Sequence, residues 1–209
     1  EVQAVYNSKY IAIKLEWEDL TSDASLYRVQ DFQDAAAIQF SIDGTMDFHG
    51  MGSKDHPTDI WFWKSEWQMQ KNADTDTDIE LAYSNRVSDS DVESYPDEFD
   101  DTAFLGGRDA GNINSKSERS TSVENVTAAG PQTVMPHPQE SQNVRGRGIW
   151  DGSKWRVVFL RKMSPESDQE VRFKKGGAVP VGFAVWNGSE NDRNGQKMVS
   201  TWYKLELKD

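Results

Sequence analysis

The chain has 209 residues, which is enough for one large β domain with a substantial core, and it contains no cysteine. The missing thiols exclude disulfides, thiolate metal sites, iron–sulfur ligation and the C-x-x-C-H attachment of a c-type haem. With 35 acidic against 23 basic residues, the net charge is −12. This charge makes nucleic acid and anionic membranes poor partners and a basic protein a good one, unless the acidity serves only solubility.

Apolar residues recur at every second position in several segments, which is the pattern of half-buried β-strands. In chain order, strands are predicted over residues 10–17, 36–42, 60–68, 155–161, 181–186 and about 196–207. Helical signals are weak, because no long segment carries an apolar stripe at 3.6-residue spacing. The sequence therefore predicts an all-β fold. We expect a single antiparallel β-sandwich domain over residues 1–209, with long loops and few short helices.

The chain starts at Glu1 without an initiator methionine, which predicts a processed form of an exported protein. Its longest strictly apolar run is Val157–Leu160. A membrane-spanning helix needs about 20 apolar residues, so no such helix is predicted.

The middle of the chain, residues 84–124, is rich in Asp, Ser, Asn and Gly. A long loop inside a compact domain is usually functional or disordered. Just before it, residues 74–78 resemble the opening of a calcium-binding loop. Ile79 and Asn85 stand where that loop requires glycine and a carboxylate, so a solvated loop is favoured.

Three tryptophans, Trp61, Trp63 and Trp67, share one parity of the third predicted strand. One interpretation places them in the core of the β domain. In the other, their rings line a flat ligand site, either the wall of a macrocycle pocket or a sugar platform. A carbohydrate-binding module is therefore the alternative function.

Enzyme motifs are missing from the sequence. The three histidines, His49, His56 and His137, lack the spacing of a zinc site. There is no G-x-S-x-G nucleophile elbow and no glycine-rich phosphate loop. The sequence predicts a protein without a catalytic site of its own.

Lys197 lies on the apolar parity of the last predicted strand, whose other members include Val199, Tyr203 and Leu205. A lysine on an inward face must reach solvent, form a pair or lose its proton. One interpretation is that it reaches solvent at the strand end. The other is that it offers a neutral amine to an electrophile or a metal.

Met135 lies in the segment Gln132–Pro138, where Pro136 and Pro138 stiffen the backbone and fix how side chains project. It is either an ordinary core methionine that fills a gap or a metal ligand. As a ligand, its thioether is soft and neutral and suits haem iron.

Several segments resemble the haem-binding γ subunits of periplasmic molybdenum enzymes. This group comprises ethylbenzene dehydrogenase, dimethylsulfide dehydrogenase, selenate reductase and chlorate reductase. The segments that carry the resemblance are Asp59–Trp67, Gly107–Asn112, Gly146–Trp155, Phe183–Gly188 and Asn194–Trp202.

The resemblance implies one non-covalent haem b between the layers of a β-sandwich, with methionine and lysine as axial ligands. Lys197 is the predicted lysine ligand. Met135 is the first choice for the methionine, and Met51 is the second. Arginine pairs well with carboxylates, so Arg108, Arg145 and Arg147 are candidates to pair with the haem propionates.

The function that the resemblance implies is electron transfer in the periplasm. Electrons would pass between a molybdenum-containing alpha subunit, with its iron–sulfur beta subunit, and an external basic c-type cytochrome. The chain itself would be a non-catalytic subunit of this oxidoreductase complex, without nucleic acid or membrane as partners.

Overall fold

The computed structural model describes residues 1–26, 29–46, 50–73 and 120–208. Its strands are β1 (Val2–Tyr6), β2 (Tyr10–Glu18), β3 (Ala35–Ser41), β4 (Thr58–Lys64), β5 (Val123–Ala128), β6 (Met135–Pro136), β7 (Arg145–Trp150), β8 (Lys154–Lys162), β9 (Ala178–Trp186), β10 (Met198–Val199) and β11 (Tyr203–Glu206). Helix α1 covers Ser65–Ala73, and two 3-10 turns lie at Gln139–Ser141 and Gly188–Glu190.

The strands form two sheets in which the named strands pair antiparallel. The smaller sheet has the order β1-β2-β8-β7. The larger sheet has the order β10-β9-β3-β4-β5-β6, and β11 also pairs with β9. The prediction of an all-β antiparallel sandwich is confirmed.

The main core lies between the two sheets. The inward residues of β2 and β8 face those of β3, β4, β5 and β9, as period-two alternation predicts. Its largest fully buried side chains include Trp61, Trp63, Phe40 and Phe159. Because these side chains fill the space between the layers, the expected position of the haem between the layers is not supported.

A second apolar cluster lies on the opposite face of the larger sheet, which we call the outer face. Its buried members are Ala37, Ile60, Val126 and Ala128, against which Met51, Phe62, Ala184 and Trp186 pack. Strand β3 therefore contributes apolar residues to both faces of the sheet. This explains why residues 35–38 of this central strand are continuously apolar.

The strand predicted over residues 60–68 ends at Lys64, so its second half was predicted wrongly. Helix α1 begins at Ser65, with Glu66 in its first turn and Lys71 in its last, and these charges complement the helix dipole. Trp63 and Trp67 are four residues apart, a spacing that is compatible with a helix as well as with a strand. Among the described residues, no helix has the length and hydrophobicity to cross a bilayer.

The last predicted strand is two strands with different registers. Val199 pairs with Ala184 and Tyr203 pairs with Val181, which is a slip of one residue. The slip is at Ser200, whose N–H donates to the Phe183 carbonyl while its hydroxyl accepts from the Phe183 N–H. A one-residue slip moves every later side chain to the other face. The prediction of one continuous apolar face was therefore wrong.

Candidate functional site

Lys197 lies immediately before β10, at the edge of the larger sheet. Its Nζ is 5.0 Å from the centroid of the Trp186 ring and donates a hydrogen bond of 3.2 Å to the Asn194 carbonyl. Burial lowers the pKa of Lys197. The shift is toward the neutral amine, which is the form that can bind a metal.

Met51 lies above the same outer face in an unusual backbone conformation. Its φ is 54°, and its neighbours Gly50 and Gly52 also have positive φ values, 64° and 70°. The Met51 N–H donates to Gln39 Oε1 at 2.9 Å, and its carbonyl accepts from Gly130 N–H at 2.9 Å. A non-glycine residue in this region costs about 1–3 kcal/mol, and such strain concentrates at functional sites.

Met135 lies on β6, at the other edge of the larger sheet, and 64% of its surface is exposed. It pairs with Thr127, which pairs with Asp59 on the face that is turned toward the smaller sheet. Five strand spacings of about 4.8 Å, roughly 24 Å, separate β6 from β10. The structure thus brings Lys197 and Met51 to one face and leaves Met135 at the far edge.

The outer face near Lys197 and Met51 is formed largely by small and aromatic side chains. Ala37 pairs directly with Ala184, so small side chains form its centre. The rings of Phe62 and Trp186 lie beside them, with centroids 4.9 Å apart. A surface of small and aromatic side chains that carries a thioether and an amine of lowered pKa suits a flat macrocycle with a central iron.

The tryptophans considered as a sugar platform are buried. Trp61 and Trp63 belong to the main core, and Trp67 is buried on α1. Buried rings cannot stack on a sugar, so the structure contradicts the interpretation of these residues as an exposed ligand platform.

Two of the arginines proposed for the propionates lie far from the outer face of the larger sheet. Arg145 and Arg147 are on β7, with exposed side chains on the outward face of the smaller sheet. They are therefore on the opposite side of the sandwich from Lys197 and Met51. Arg108, His49 and residues 74–78 lie outside the described residues.

A family model described as ethylbenzene dehydrogenase matches residues 1–198. The chain belongs to this family. A respiratory nitrate reductase heme subunit of Haloferax mediterranei is 26% identical to this family member, over 97% of the chain and 53% of the relative.

Two further relatives are named as gamma subunits. The dimethylsulfide dehydrogenase subunit gamma of Rhodovulum sulfidophilum is 28% identical, over 95% of this chain and 56% of the relative. The chlorate reductase subunit gamma of Ideonella dechloratans is 23% identical, over 98% of this chain and 63% of the relative. This member of the ethylbenzene dehydrogenase family thus spans between half and two thirds of the length of these curated relatives.

Sequence reasoning missed a buried polar cluster inside the sandwich of this family member. Arg161 Nη1 lies 3.0 Å from Asp59 Oδ2 and 3.4 Å from Glu170 Oε1. His137 Nε2 is 3.8 Å from Asp59 Oδ1. Burial raises the pKa of Asp59 to about 6, although Arg161 opposes the shift. The signal in the sequence was Arg161 itself, a charged residue on the apolar parity of β8.

His56 has a different environment from His137. Its Nδ1 lies 2.5 Å from Asp43 Oδ2, and both side chains are partly exposed. This hydrogen bond lowers the pKa of Asp43 to about 2. Neither described histidine shares the outer-face cluster that contains Met51 and Trp186.

Proposed function

We propose that this chain is a non-catalytic electron-transfer subunit that holds one non-covalent haem b on the outer face of its larger sheet. The observation that carries the proposal is the placement of Lys197 and Met51 on one face of the larger sheet, beside small and aromatic side chains. The name of the Haloferax relative, a heme subunit, supports it. Because the chain has no cysteine, it cannot attach a haem through thioether bonds, and the proposed binding is therefore non-covalent.

Lys197 and Met51 are the residues that would hold the haem iron. Met135 was the methionine preferred from the sequence, and its position on the far edge of the sheet favours Met51 instead. Trp186 shields the Lys197 amine, and the Gly50–Met51–Gly52 backbone fixes the thioether above the sheet. When bound, the haem supplies one-electron exchange between Fe(III) and Fe(II), and a thioether ligand favours Fe(II).

Ligation by two protein side chains suits electron transfer better than catalysis. With Lys197 and Met51 as its two protein ligands, a bound haem would have no free site for oxygen or a substrate and would supply one-electron exchange alone. The chain's own contribution is to orient these two groups and to exclude water from the apolar face through Phe62 and Trp186. Lys197 and Met51 are accordingly proposed as cofactor ligands and not as catalytic residues.

The proposed assembly follows the names of the relatives. Two of them are gamma subunits of dimethylsulfide dehydrogenase and chlorate reductase. We propose that this chain likewise joins a molybdenum-containing alpha subunit and an iron–sulfur beta subunit in the periplasm. It would exchange electrons with an external basic c-type cytochrome, which the net charge of −12 would attract.

Titration with haem tests the proposal. The purified chain should bind one equivalent and develop a Soret band. Ala184→Trp places a large ring on the outer face and should weaken haem binding at least tenfold, whereas Val158→Trp on the outward face of the smaller sheet is the matched control. Far-ultraviolet circular dichroism checks that both variants fold. A chain that stays colourless, or equal haem affinity in both variants, would refute the proposed site.

A further inference from the structure

The outward face of the smaller sheet is basic although the chain as a whole is acidic. Cross-strand partners share a face, so the pairing of β1, β2, β8 and β7 identifies its residues. Its basic residues are Lys14, Arg145, Arg147, Lys154, Arg156 and Lys162. Against these six cations stand Glu16 and Glu18 on the same strand positions, and Asp151, which lies 2.6 Å from Arg156 Nη1.

Three of the six cations are already neutralised in part. Glu16 lies 3.4 Å from Lys14 Nζ, 3.2 Å from Lys154 Nζ and 3.1 Å from Arg156 Nε. Within the described part of the chain, no carboxylate forms an ion pair with Arg145, Arg147 or Lys162. These three side chains, on neighbouring strands β7 and β8, form the positive half of the face.

Exposed apolar side chains lie between the cations. Leu160 pairs with Ala12 on one side and Arg145 on the other, and Val158 pairs with Lys14 and Arg147. Val158, Leu160 and Ile149 are exposed, and Ile149 is 52% accessible. A contiguous row of aliphatic side chains bordered by arginines is typical of protein interfaces, where arginine is enriched.

We propose that this face, which we call the basic face, docks an acidic surface of a partner protein. Carboxylates of the partner would pair with Arg145, Arg147 and Lys162, and its apolar side chains would cover Val158, Leu160 and Ile149. Four strands about 4.8 Å apart and up to nine residues long give a face of roughly 500–600 Å². This matches the smaller class of specific interfaces, which bury about 600 Å² per partner.

A protein surface fits this face better than an anionic membrane. Residues 74–119 contain thirteen acidic and four basic residues, so this segment carries most of the chain's net negative charge. A membrane extends beyond the basic face and would repel the acidic remainder of the chain. An acidic patch of limited size would meet only the cations.

The basic face and the proposed haem face lie on opposite sides of the sandwich. The docking proposal therefore does not depend on the haem proposal. Substitutions on the basic face should leave the haem spectrum unchanged, which makes the failure of one proposal distinguishable from the failure of the other.

Lysine labelling tests the docking proposal in the native assembly. The tagged chain is purified from its host together with its partner subunits, and its lysines are acetylated with an N-hydroxysuccinimide ester. Lys14, Lys154 and Lys162 should be labelled at least fivefold less in the assembly than in the isolated chain. Lys174, which is exposed elsewhere, is the internal control. A zero-length carbodiimide reagent should link the protected lysines to carboxylates of a partner subunit.

A charge reversal supplies the second measurement. Arg147→Glu should release the chain from its partner subunits, with at least a tenfold loss of affinity, whereas Lys174→Glu changes the charge equally and should retain binding. Equal labelling in both states, or no partner subunit that co-purifies, would overturn the proposal.

The test also separates two other occupants. Cross-links from the basic face to residues 74–119 of the same chain would show an intramolecular contact and overturn the proposal. Binding to phosphatidylserine vesicles that is lost in Arg147→Glu, without protection in the assembly, would point to a membrane and overturn it as well.

Discussion

At the scale of single residues, the interior of the sandwich contains a cluster of buried charged side chains. Arg161 is the centre of this arrangement, since its guanidinium contacts Asp59 and Glu170 and also lies 4.8 Å from the Trp61 ring centroid. Asn143 Nδ2 holds the Glu170 carboxylate through bonds of 2.8 and 3.1 Å. Buried charges are stable only when each is paired, so these side chains depend on one another.

Arg161→Ala should destabilise the fold by about 3–5 kcal/mol, because it leaves two buried carboxylates without their cation. The measurement is urea unfolding followed by tryptophan fluorescence. Arg156→Ala is the matched control: its ion pairs with Glu16 and Asp151 are screened by solvent, so their loss should change the free energy of unfolding much less than Arg161→Ala does. Equal losses in the two variants would contradict this account of the cluster.

Asp34 should make the stability dependent on pH. Burial raises its pKa to about 6, and hydrogen bonds from the N–H groups of Gly188, Asp23 and Trp155 offset this only in part. Because the folded state holds the proton more tightly than the unfolded chain, the free energy of unfolding should fall as pH rises from about 4 to about 6.

Asp34→Asn removes this titration and is the test of the Asp34 prediction. The free energy of unfolding of the wild type, relative to that of the variant, should decrease as pH rises from about 4 to about 6. The difference is measured by urea unfolding at several pH values. A difference that stays constant between pH 4 and 7 would mean that Asp34 does not titrate in the folded state.

At the scale of elements, the contact between β7 and β4 depends on a glycine. A Cβ at Gly148 would collide with the Trp63 indole. Gly148→Ala should therefore cost about 1–3 kcal/mol through overpacking. Gly195 has open space around its Cβ position, so Gly195→Ala is the control and should be close to neutral. The measurement is thermal unfolding of both variants, monitored by circular dichroism. Equal melting temperatures of the two variants would contradict the prediction.

Period-two alternation was sufficient to predict strands β2, β3, β8 and β9, because each has one face in the main core. It was insufficient where local geometry departs from a straight strand. The helix that begins after Lys64 and the one-residue slip at Ser200 leave no mark in the alternation of apolar and polar residues along the sequence. Their positions are decided by tertiary pairing, which a single sequence does not display.

The sequence singles out one of the two proposed ligands and not the other. Lys197 was identifiable as a charged residue in an apolar context. Met51 differs from Met135 in its left-handed backbone and in its position over the outer face, and both properties depend on the fold. The local prolines around Met135 are visible in the sequence, but they do not indicate which sheet edge the residue occupies.

At the scale of the whole molecule, charge is distributed unevenly. Residues 74–119 carry a large share of the acidic residues, whereas the basic face collects cations on one sheet. Such asymmetry orients partners during encounter. It also allows the same chain to attract a basic redox partner and an acidic docking partner at different places.

Association with a basic c-type cytochrome should slow steeply as salt rises. Screening shortens the range of the attraction to about 8 Å at physiological ionic strength. Stopped-flow rates of electron transfer at low and physiological salt measure this effect. A rate that is flat across this range would show that the net charge of −12 does not steer the encounter.

The central claim is that Lys197 and Met51 hold the haem iron on the outer face of the larger sheet. The most direct test is the absorption spectrum of the haem-loaded chain in the variants Lys197→Ala, Met51→Ala and Met135→Ala. We predict that the first two shift the spectrum from low spin toward high spin and that Met135→Ala leaves it unchanged. A shift in Met135→Ala with an unchanged spectrum in Met51→Ala would contradict the placement of the site.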